Sequence, residues 1–331
     1  MSYFAGKIVK LKALREDTRF QNEARRAVRS GRELLAAIFR LVLIVGISYV
    51  ILGPMIGIVA SSFFSNSDKL SPVVYLIPQN PTLQRYIRAY QLLDYWKVLG
   101  SMLVYVVTLT LIQIAVCSLV GYGFARFQFP LKKFLFACVI IVIVIPLHSI
   151  MLPLYMTFRQ FDPLGLMTLF AGGPINLMTR TAPMYIMTIF GCGLRSGLYI
   201  YIFNQFFRGL PKEIEEAAFV DGAGTFYTFL RVMIPNAMPS IITVAIFSLV
   251  WQYNDIFYAN LFNISNNVII SKKLNTLNLS LAGPPDQILD PGIRALYVYA
   301  GIILMILPMI LIYVILQKRF IEGVERSGIV G

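Results

Sequence analysis

Six long apolar segments constrain what this chain can fold into more than any other feature of the sequence. Each holds about 20 predominantly apolar residues, the length that an α-helix needs to cross the hydrocarbon core of a bilayer. Their approximate limits are 41–64, 98–120, 134–158, 181–207, 237–262 and 295–316. A composition of 57% hydrophobic and 14% charged residues is too apolar for a soluble domain. The sequence therefore predicts an all-α polytopic membrane protein with six transmembrane helices.

The distribution of Lys and Arg predicts the topology of these helices. A basic tail, residues 1–40, holds ten of the 29 basic residues and precedes a first segment that is too long for a cleavable signal peptide. The tail, the loops at 121–133 and 208–236 and the C-terminal tail 317–331 hold nineteen Lys and Arg, against nine in the alternate loops. Since basic loops stay in the cytoplasm, both termini are expected there, flanking a six-helix domain at 41–316.

The formal net charge of +13 also bears on the partners of the chain. Much of this charge lies in the tail, which offers no fold that could read a nucleic-acid duplex, so we expect no nucleic-acid partner. The tail can instead lie on anionic membrane lipid. The alternative is a topological anchor with no further role.

Residues that carry catalytic or metal chemistry are scarce. Cys117, Cys138 and Cys192 lie in apolar segments without CxxC spacing or a histidine partner, so we expect packing residues, no disulfide and no metal site. His148, the single histidine, follows Pro146, and packing beside freed backbone is favoured over a substrate or proton contact. No Walker A loop, HExxH motif or Gly-x-Ser-x-Gly elbow occurs. We expect no catalytic residue, no enzyme activity and no cofactor in this chain.

The loop between the fourth and fifth segments, 208–239, is unusually acidic and rich in small residues. A short helix is indicated by three glutamates in its first turns, Glu213, Glu215 and Glu216, because the helix dipole favours anions there. The sequence DGAG would end this helix, since these residues tolerate left-handed backbone. A second short helix should follow and end near Pro235.

Small residues give the first short helix a surface for close approach. Ala218 and Gly222 are four residues apart and therefore share a helical face, which lets another surface approach the backbone. The alternative is an amphipathic helix on the lipid headgroups, but three clustered glutamates would be repelled by an anionic leaflet. The pattern favours a docking surface for another protein.

These residues resemble the signature of the membrane-spanning permeases of bacterial ATP-binding-cassette (ABC) importers. That signature is Glu-Ala-Ala, a glycine four residues later and, after nine more residues, Ile-x-Leu-Pro; here it reads EAA at 216–218, Gly222 and VMIP at 232–235. The resemblance implies a cytoplasmic coupling helix that inserts into a cleft of an ATPase subunit. The residues it assigns to ATPase coupling are Glu215, Glu216, Ala217, Ala218, Asp221, Gly222, Ala223 and Pro235.

The resemblance covers most of residues 35–331 and points to the carbohydrate branch, the maltose-type oligosaccharide importers. It is also carried by FSLVWQYNDIFYANLF and LQKRFIEGVERSGIVG. It implies a location in the bacterial cytoplasmic (inner) membrane and pairing with a second, related permease. Two partner ATPase subunits would bind ATP and Mg, and an extracytoplasmic solute-binding protein would deliver the sugar to the loops at 65–97 and 263–294. The long 159–182 connection and the sequence WQYND depart from the family pattern, and both weaken any transfer of substrate identity.

Two charged residues within the predicted spans indicate a cavity or a partner, because ionisable groups at membrane depth rarely face lipid. Arg195 and Asp255 lie at a similar depth, about 20 Å and 24 Å from the cytoplasmic boundary at 1.5 Å per helical residue. An ion pair between the fourth and fifth spans is the resulting prediction. The sequence GCGLRSG around Arg195 also predicts a broken or closely packed helix.

Four residues in the fifth span form a candidate substrate path together with Arg195. Trp251, Asn254, Asp255 and Tyr258 recur at i, i+3, i+4 and i+7, which places them on one face of a helix. Aromatic rings beside amide and carboxylate acceptors suit a sugar. The alternative is a helix-packing stripe with a polar clamp.

Two other functions remain open from the sequence. An ABC importer permease for a non-sugar solute keeps the coupling signature but changes the cargo. A secondary transporter or channel would have no use for the residues between Glu216 and Pro235, so the signature argues against it.

Overall fold

The structure, a computed structural model, describes residues 33–281 and 290–328. Most of the basic tail predicted at 1–40 lies outside the described residues. Within them the regular secondary structure is helical, apart from one isolated antiparallel bridge between Phe161 and Ile175. The prediction of an all-α protein is confirmed.

The helices follow one another with short connections. The first nine are α1 (Glu33–Ser62), α2 (Asn66–Leu70), α3 (Gln84–Leu93), α4 (Tyr95–Arg126), α5 (Lys132–Val144), α6 (Met151–Arg159), α7 (Leu166–Ala171), α8 (Ala182–Ile189) and α9 (Ser196–Gly209). The others are α10 (Glu213–Val220), α11 (Thr225–Thr228), α12 (Ile234–Asn236), α13 (Met238–Tyr253), α14 (Phe257–Leu261), α15 (Ile270–Ser280) and α16 (Pro291–Gly328). Short 3₁₀ turns span Leu147–Ile150 and Pro163–Gly165, and a π-helix, Phe229–Met233, joins α11 to α12.

Three described helices are long and apolar enough to cross a membrane: α1, α4 and the Pro291–Ile315 part of α16. Two bent pairs raise the number to five if each counts as one span. One joins α5 to Leu147–Arg159 with a bend of 107°, and the other joins Thr225–Asn236 to α13 with a bend of 78°. The six predicted spans are therefore matched by three to five candidate spans.

Proline and glycine explain where the predicted spans break. Ile145 takes an extended conformation (φ −61°, ψ 124°) before Pro146, because a proline disfavours helical backbone in the residue before it. The fourth predicted span, 181–207, is divided into α8 and α9. Gly191 and Arg195 adopt left-handed backbone between them, with φ of 72° and 61°. The helix break predicted from GCGLRSG is confirmed.

Helix α4 lies at the centre of the packing. It contacts α8, α9 and α13, and α13 in turn packs against α16. Helices α4 and α9 approach closely at Gly121, where an added Cβ would lie 2.6 Å from the Cβ of Phe203 and 3.0 Å from the backbone nitrogen of Asn204. Only glycine fits at this crossing without a shift of one helix.

A buried hydrogen-bond network satisfies the backbone at the break between α8 and α9. Gln113 of α4 is fully buried, and its Nε2 donates to the Leu194 carbonyl at 2.6 Å and to the Ser196 hydroxyl at 3.0 Å. Its Oε1 accepts from the Ser248 hydroxyl at 2.8 Å. An unpaired carbonyl in the membrane interior costs several kcal/mol, so Gln113 stabilises the broken helix and links α4, α9 and α13.

Helix α16 shows the same principle at Pro308, which lies inside the helix. A proline has no N–H to donate to the carbonyl four residues earlier, here that of Leu304. The Tyr95 hydroxyl donates to this carbonyl at 3.0 Å, and the Tyr253 hydroxyl donates to the neighbouring Met305 carbonyl at 2.6 Å. These tyrosines tie α16 to α4 and α13.

The long 159–182 connection has internal order. Asp162 accepts hydrogen bonds from the Thr168 hydroxyl and from the N–H of Met167, the latter at 2.7 Å. The hydrogen bond from the Thr168 side chain is the main reason that the pKa of the Asp162 carboxyl is lowered. The Thr179 N–H donates to the Phe262 carbonyl at 2.8 Å, which fixes the end of the connection beside α14.

The close approach at Gly121 generates a stability prediction. Gly121→Ala should lower the stability of the folded chain by about 1–3 kcal/mol, because the added methyl overpacks the crossing of α4 and α9. Gly123→Ala is the matched control. Its Cβ would lie 4.0 Å from the Phe127 ring, so the loss of a helical glycine should be neutral or stabilise by about 0.5–1 kcal/mol. Thermal unfolding of both variants in detergent is the measurement, and equal midpoints would contradict the close-packed crossing.

Candidate functional site

The 208–239 loop begins with α10, which ends in a Schellman motif. The Ala223 N–H donates to the Ala218 carbonyl and the Gly222 N–H to the Phe219 carbonyl, both at 3.0 Å. Gly222 occupies the left-handed position of this motif with φ of 83°. The predicted end of the helix is confirmed, but Gly222 lies beyond α10, so it shares no regular helical face with Ala218.

The second short helix of the loop spans Thr225–Asn236 and includes the π-helical turn. It ends one residue after Pro235, as predicted, and bends by 78° into α13. The loop therefore leads directly into a long membrane helix through a sharp corner.

The residues that the sequence assigned to the site separate into two groups. Glu216, Ala217, Asp221, Gly222 and Pro235 are exposed, while Ala218 and Ala223 are half-buried. Apolar side chains extend the exposed group, namely Phe219, Val220, Phe226 and Tyr227. Glu215 differs from all of these because it is buried.

The carboxylate of Glu215 is held by the end of α4. Its Oε2 lies 3.1 Å from Nε of Arg126, and its Oε1 accepts a hydrogen bond from the Tyr122 hydroxyl. Arg126 also donates from Nη2 to the Leu210 carbonyl at 2.9 Å. We call Tyr122, Arg126 and Glu215 the α4 joint, because they connect the 208–239 loop to that helix.

Aromatic packing reinforces the α4 joint. The Tyr122 ring lies 5.5 Å from the Phe207 ring of α9 and 5.0 Å from the Phe229 ring of the second short helix, measured between centroids. Pairs of this kind stabilise by about 0.5–1.5 kcal/mol beyond their buried area. The loop is therefore attached to α4 and α9 as well as to α13.

The α4 joint was missed in the sequence analysis. The predicted span ended at residue 120, which left Tyr122 and Arg126 in a loop, whereas α4 continues to Arg126. The available signal was their spacing of four residues, which places both side chains on one helical face. Their partner Glu215 is distant in sequence, so only the fold brings the three together.

The substrate-path candidates do not share one continuous helical face. Helix α13 ends at Tyr253, Asn254 is its C-cap, and a new helix begins at Phe257. The i+7 relation of Trp251 and Tyr258 therefore fails. Trp251 and Asn254 are exposed, whereas Tyr258 is buried against the Phe262 ring.

The predicted ion pair between Arg195 and Asp255 is wrong. The Arg195 guanidinium lies over the Trp251 ring, 4.4 Å from its centroid, and no ion pair within 4.0 Å joins Arg195 to Asp255. Asp255 instead accepts a hydrogen bond from the Tyr258 N–H at 3.2 Å, at the start of α14. The break after α13 turned this carboxylate toward the backbone at the start of α14. Arg195 does contact the fifth predicted span, but its partner there is Trp251 and not Asp255.

Of the remaining singled-out residues, His148 and Cys117 are packed as expected, whereas Cys192 is exposed. The His148 ring lies edge-to-face against the Phe257 ring, with centroids 5.1 Å apart. Cys117 is buried, Cys138 is half-buried and Cys192 is exposed, and all three are free thiols. Among the described residues no group of three or more potential ligands could hold a metal ion.

The α4 joint generates a second stability prediction. Glu215→Gln should lower the stability by up to about 3–5 kcal/mol, because it strands the buried Arg126 guanidinium. Glu216→Gln is the matched control: its exposed side chain should change stability by less than about 0.5 kcal/mol. Thermal unfolding of both variants, with Arg126→Gln and the double variant completing a mutant cycle, is the measurement. Additive effects in the cycle would contradict the joint.

Comparisons with known proteins show which family this chain resembles. Residues 117–326 match the family described as binding-protein-dependent transport system inner membrane component. The diacetylchitobiose uptake system permease protein NgcG of Streptomyces coelicolor is 27% identical over 302 residues, which cover 91% of this chain and 91% of that protein. The melibiose/raffinose/stachyose import permease protein MelC of Bacillus subtilis is 31% identical over 216 residues, 65% of this chain and 68% of that protein.

The fold also has a solved counterpart. It is a chain in the crystal structure of a bacterial ABC transporter involved in the import of the acidic polysaccharide alginate, with a TM-score of 0.69 and 20% identity. The superposition covers 86% of this chain and 96% of that chain. The family match takes in more than half of the chain, including the 208–239 loop and the α4 joint. This chain therefore belongs to the binding-protein-dependent transport system inner membrane components, and it is a multi-pass permease subunit of an ABC importer rather than an enzyme.

Proposed function

We propose that this permease carries a carbohydrate, an oligosaccharide in particular, along a path that it forms with a second, related permease. The observation that carries the proposal is the similarity over 91% of the chain to a permease named for diacetylchitobiose uptake. The relative named for melibiose, raffinose and stachyose import supports the same cargo class. An extracytoplasmic solute-binding protein delivers the sugar, and two partner ATPase subunits bind ATP and Mg.

We infer the membrane topology from the bent helices and from the distribution of Lys and Arg. We infer six crossings, with α8 and α9 together making the fourth across the break at 190–195. Both termini and the 208–239 loop then lie in the cytoplasm, which agrees with the excess of Lys and Arg on that side.

We infer that the exposed part of the 208–239 loop docks into the ATPase. Glu216, Ala217 and Gly222 are exposed beside the apolar side chains of Phe219 and Val220, of which Val220 is 87% exposed. An exposed apolar patch of this kind on a polar loop is typical of a protein interface. The α4 joint and the corner at Pro235 would transmit the motion of the docked loop to α4 and α13.

The substrate face is proposed at Arg195, Trp251 and Asn254. All three are exposed in this chain although they lie within the predicted spans, and an exposed arginine at membrane depth faces a cavity or a partner. The indole ring and the amide suit a sugar ring and its hydroxyls. In this proposal Asp255 and Tyr258 lie beside the face, at the start of α14, and do not touch the cargo.

A second candidate is an ABC importer permease for a non-sugar solute. The charge of Arg195 on the exposed face favours an anionic solute in that case. Comparing the uptake of labelled neutral oligosaccharides with that of labelled small organic anions distinguishes the two candidate functions. A secondary transporter has less support, because the coupling signature and the family point to an ATPase.

The coupling role predicts distinct effects at two neighbouring glycines. Gly222→Leu should reduce binding-protein-stimulated ATP hydrolysis and sugar uptake, because it blocks the docking surface and strains the positive φ by about 1 kcal/mol or more. Gly224→Leu is the control at φ of −71°, where the side chain meets the same open space without strain. Subunit co-purification and ATP hydrolysis are the measurements. Normal values for Gly222→Leu and for Glu216→Lys, together with normal uptake, would overturn the coupling role.

The substrate face predicts a cargo-specific defect. Trp251→Ala and Asn254→Ala should weaken sugar uptake at low concentration while the complex still assembles and hydrolyses ATP. Trp96→Ala is the control, because Trp96 is also exposed but lies at the start of α4. Concentration-dependent uptake in proteoliposomes is the measurement. Unchanged kinetics for both face variants would assign Trp251 and Asn254 to packing instead.

A further inference from the structure

A basic cavity lies where α4 ends, α5 begins and α9 ends. Its volume is about 760 Å³, within the range of about 300–1,000 Å³ typical of small-molecule sites. Five of its lining side chains are cationic, and no acidic residue of the described chain lines it. The cations are Arg126, Lys132, Lys133, Arg208 and Lys212.

Most of this charge is not neutralised within the chain. Arg126 is paired with Glu215 in the α4 joint, and Lys132 donates one hydrogen bond to the Phe127 carbonyl at 2.7 Å. Lys133, Arg208 and Lys212 are exposed, and the ion pairs of the described residues include none of them. The cavity therefore presents a concentrated positive potential that favours an anionic ligand.

One wall of the cavity is aromatic. Phe124 contacts Phe129 and Phe136, with ring centroids 5.6 Å and 5.4 Å apart. Beside the cavity Leu131 is 71% exposed and Phe134 is 64% exposed. Apolar side chains interleaved with lysines at the ends of spans are typical of the membrane–water interface and would be unfavourable on a surface facing water. This placement favours a ligand with a charged head and an apolar body.

A buried acceptor completes the wall. Asn204 lines the cavity and is 1% exposed; its Nδ2 donates to the Gly121 carbonyl at 3.4 Å, but its Oδ1 has no hydrogen-bond partner. A buried amide oxygen without a partner is costly. A ligand with an anionic group and a nearby hydroxyl fits this cavity, because the anion can contact the Lys and Arg side chains while the hydroxyl donates to Asn204 Oδ1.

We propose that the cavity binds the headgroup of an anionic phospholipid with a hydroxylated head, of the phosphatidylglycerol type. Lys133, Arg208 and Lys212 contact the phosphate, and the phenylalanine wall packs against the start of the acyl chains. The cavity borders α10 at Lys212 but does not include the exposed docking residues Glu216, Ala217 and Gly222, and it is separate from the substrate face. Since it lies next to the α4 joint, bound lipid would hold the ends of α4, α5 and α9 together.

The test uses the full-length chain purified with its accompanying subunits. After delipidation, native mass spectrometry measures the binding of added phosphatidylglycerol against phosphatidylcholine. Phosphatidylglycerol should bind in preference, and the double variant Lys133→Gln/Arg208→Gln should weaken it by about fivefold for each cation removed. Lys69→Gln/Arg88→Gln is the charge-matched control, because it removes two exposed cations from the 65–97 segment, on the other side of the membrane in the proposed topology.

Several outcomes would overturn the proposal. Equal binding of the two lipids, or equal losses in the cavity and control variants, would show that net charge alone attracts lipid. Full competition by inorganic phosphate would assign the cavity to free phosphate. Cross-linking from residue 133 to an ATPase subunit instead of lipid would make the cavity a protein interface. If the double variant fails to fold, the same binding measurement is made on Lys133→Gln alone, since this position is exposed. These readouts do not depend on sugar transport or on coupling.

Discussion

The close packing of α4 against α9 at Gly121 is the contact on which the rest of the described structure depends. At that crossing the absence of a side chain lets the two backbones meet, and contacts on either side follow from it. Toward one end, Gln113 comes within reach of the break between α8 and α9. Toward the other end, Tyr122 and Arg126 come within reach of Glu215. A helix kept farther from α9 would make neither set of contacts.

Two departures from regular helix among the described residues are each matched by a polar side chain of α4 that satisfies the freed backbone. Gln113 serves the break before α9, and Tyr95 serves the carbonyl freed by Pro308. The physical reason is the lack of water in the bilayer core, where an unpaired backbone group costs several kcal/mol. A broken helix is therefore tolerated where a neighbouring helix supplies a donor. In this fold α4 supplies both of the donors named here, which explains its central position.

Three surfaces of the molecule differ in their chemistry. The exposed part of the 208–239 loop is acidic and apolar, the cavity beside the end of α4 is basic and aromatic, and the face at Arg195 and Trp251 combines a cation with an indole ring. The α4 joint connects the first two, because Arg126 pairs with Glu215 and also lines the cavity. In the proposed coupling this contact would carry a movement of the loop to the end of α4. The proposed coupling and the proposed lipid site thus share one mechanical element.

The sequence by itself determined the helical class, the family and the ends of several helices, because hydrophobic length, proline and glycine act locally. It located the break at GCGLRSG, the positive φ of Gly222 and the helix end near Pro235. It did not determine the partners of Glu215, Arg195 and Asp255, nor the bends of 107° and 78° at the third and fifth predicted spans. Ion pairs between distant residues depend on how helices cross. Because α13 ends at Tyr253, the Asp255 carboxylate accepts a hydrogen bond from the Tyr258 N–H instead of pairing with Arg195. Charge and membrane depth limit which residues can meet, but the packing of the helices selects the pairs that form. Only the tertiary structure therefore decided these contacts.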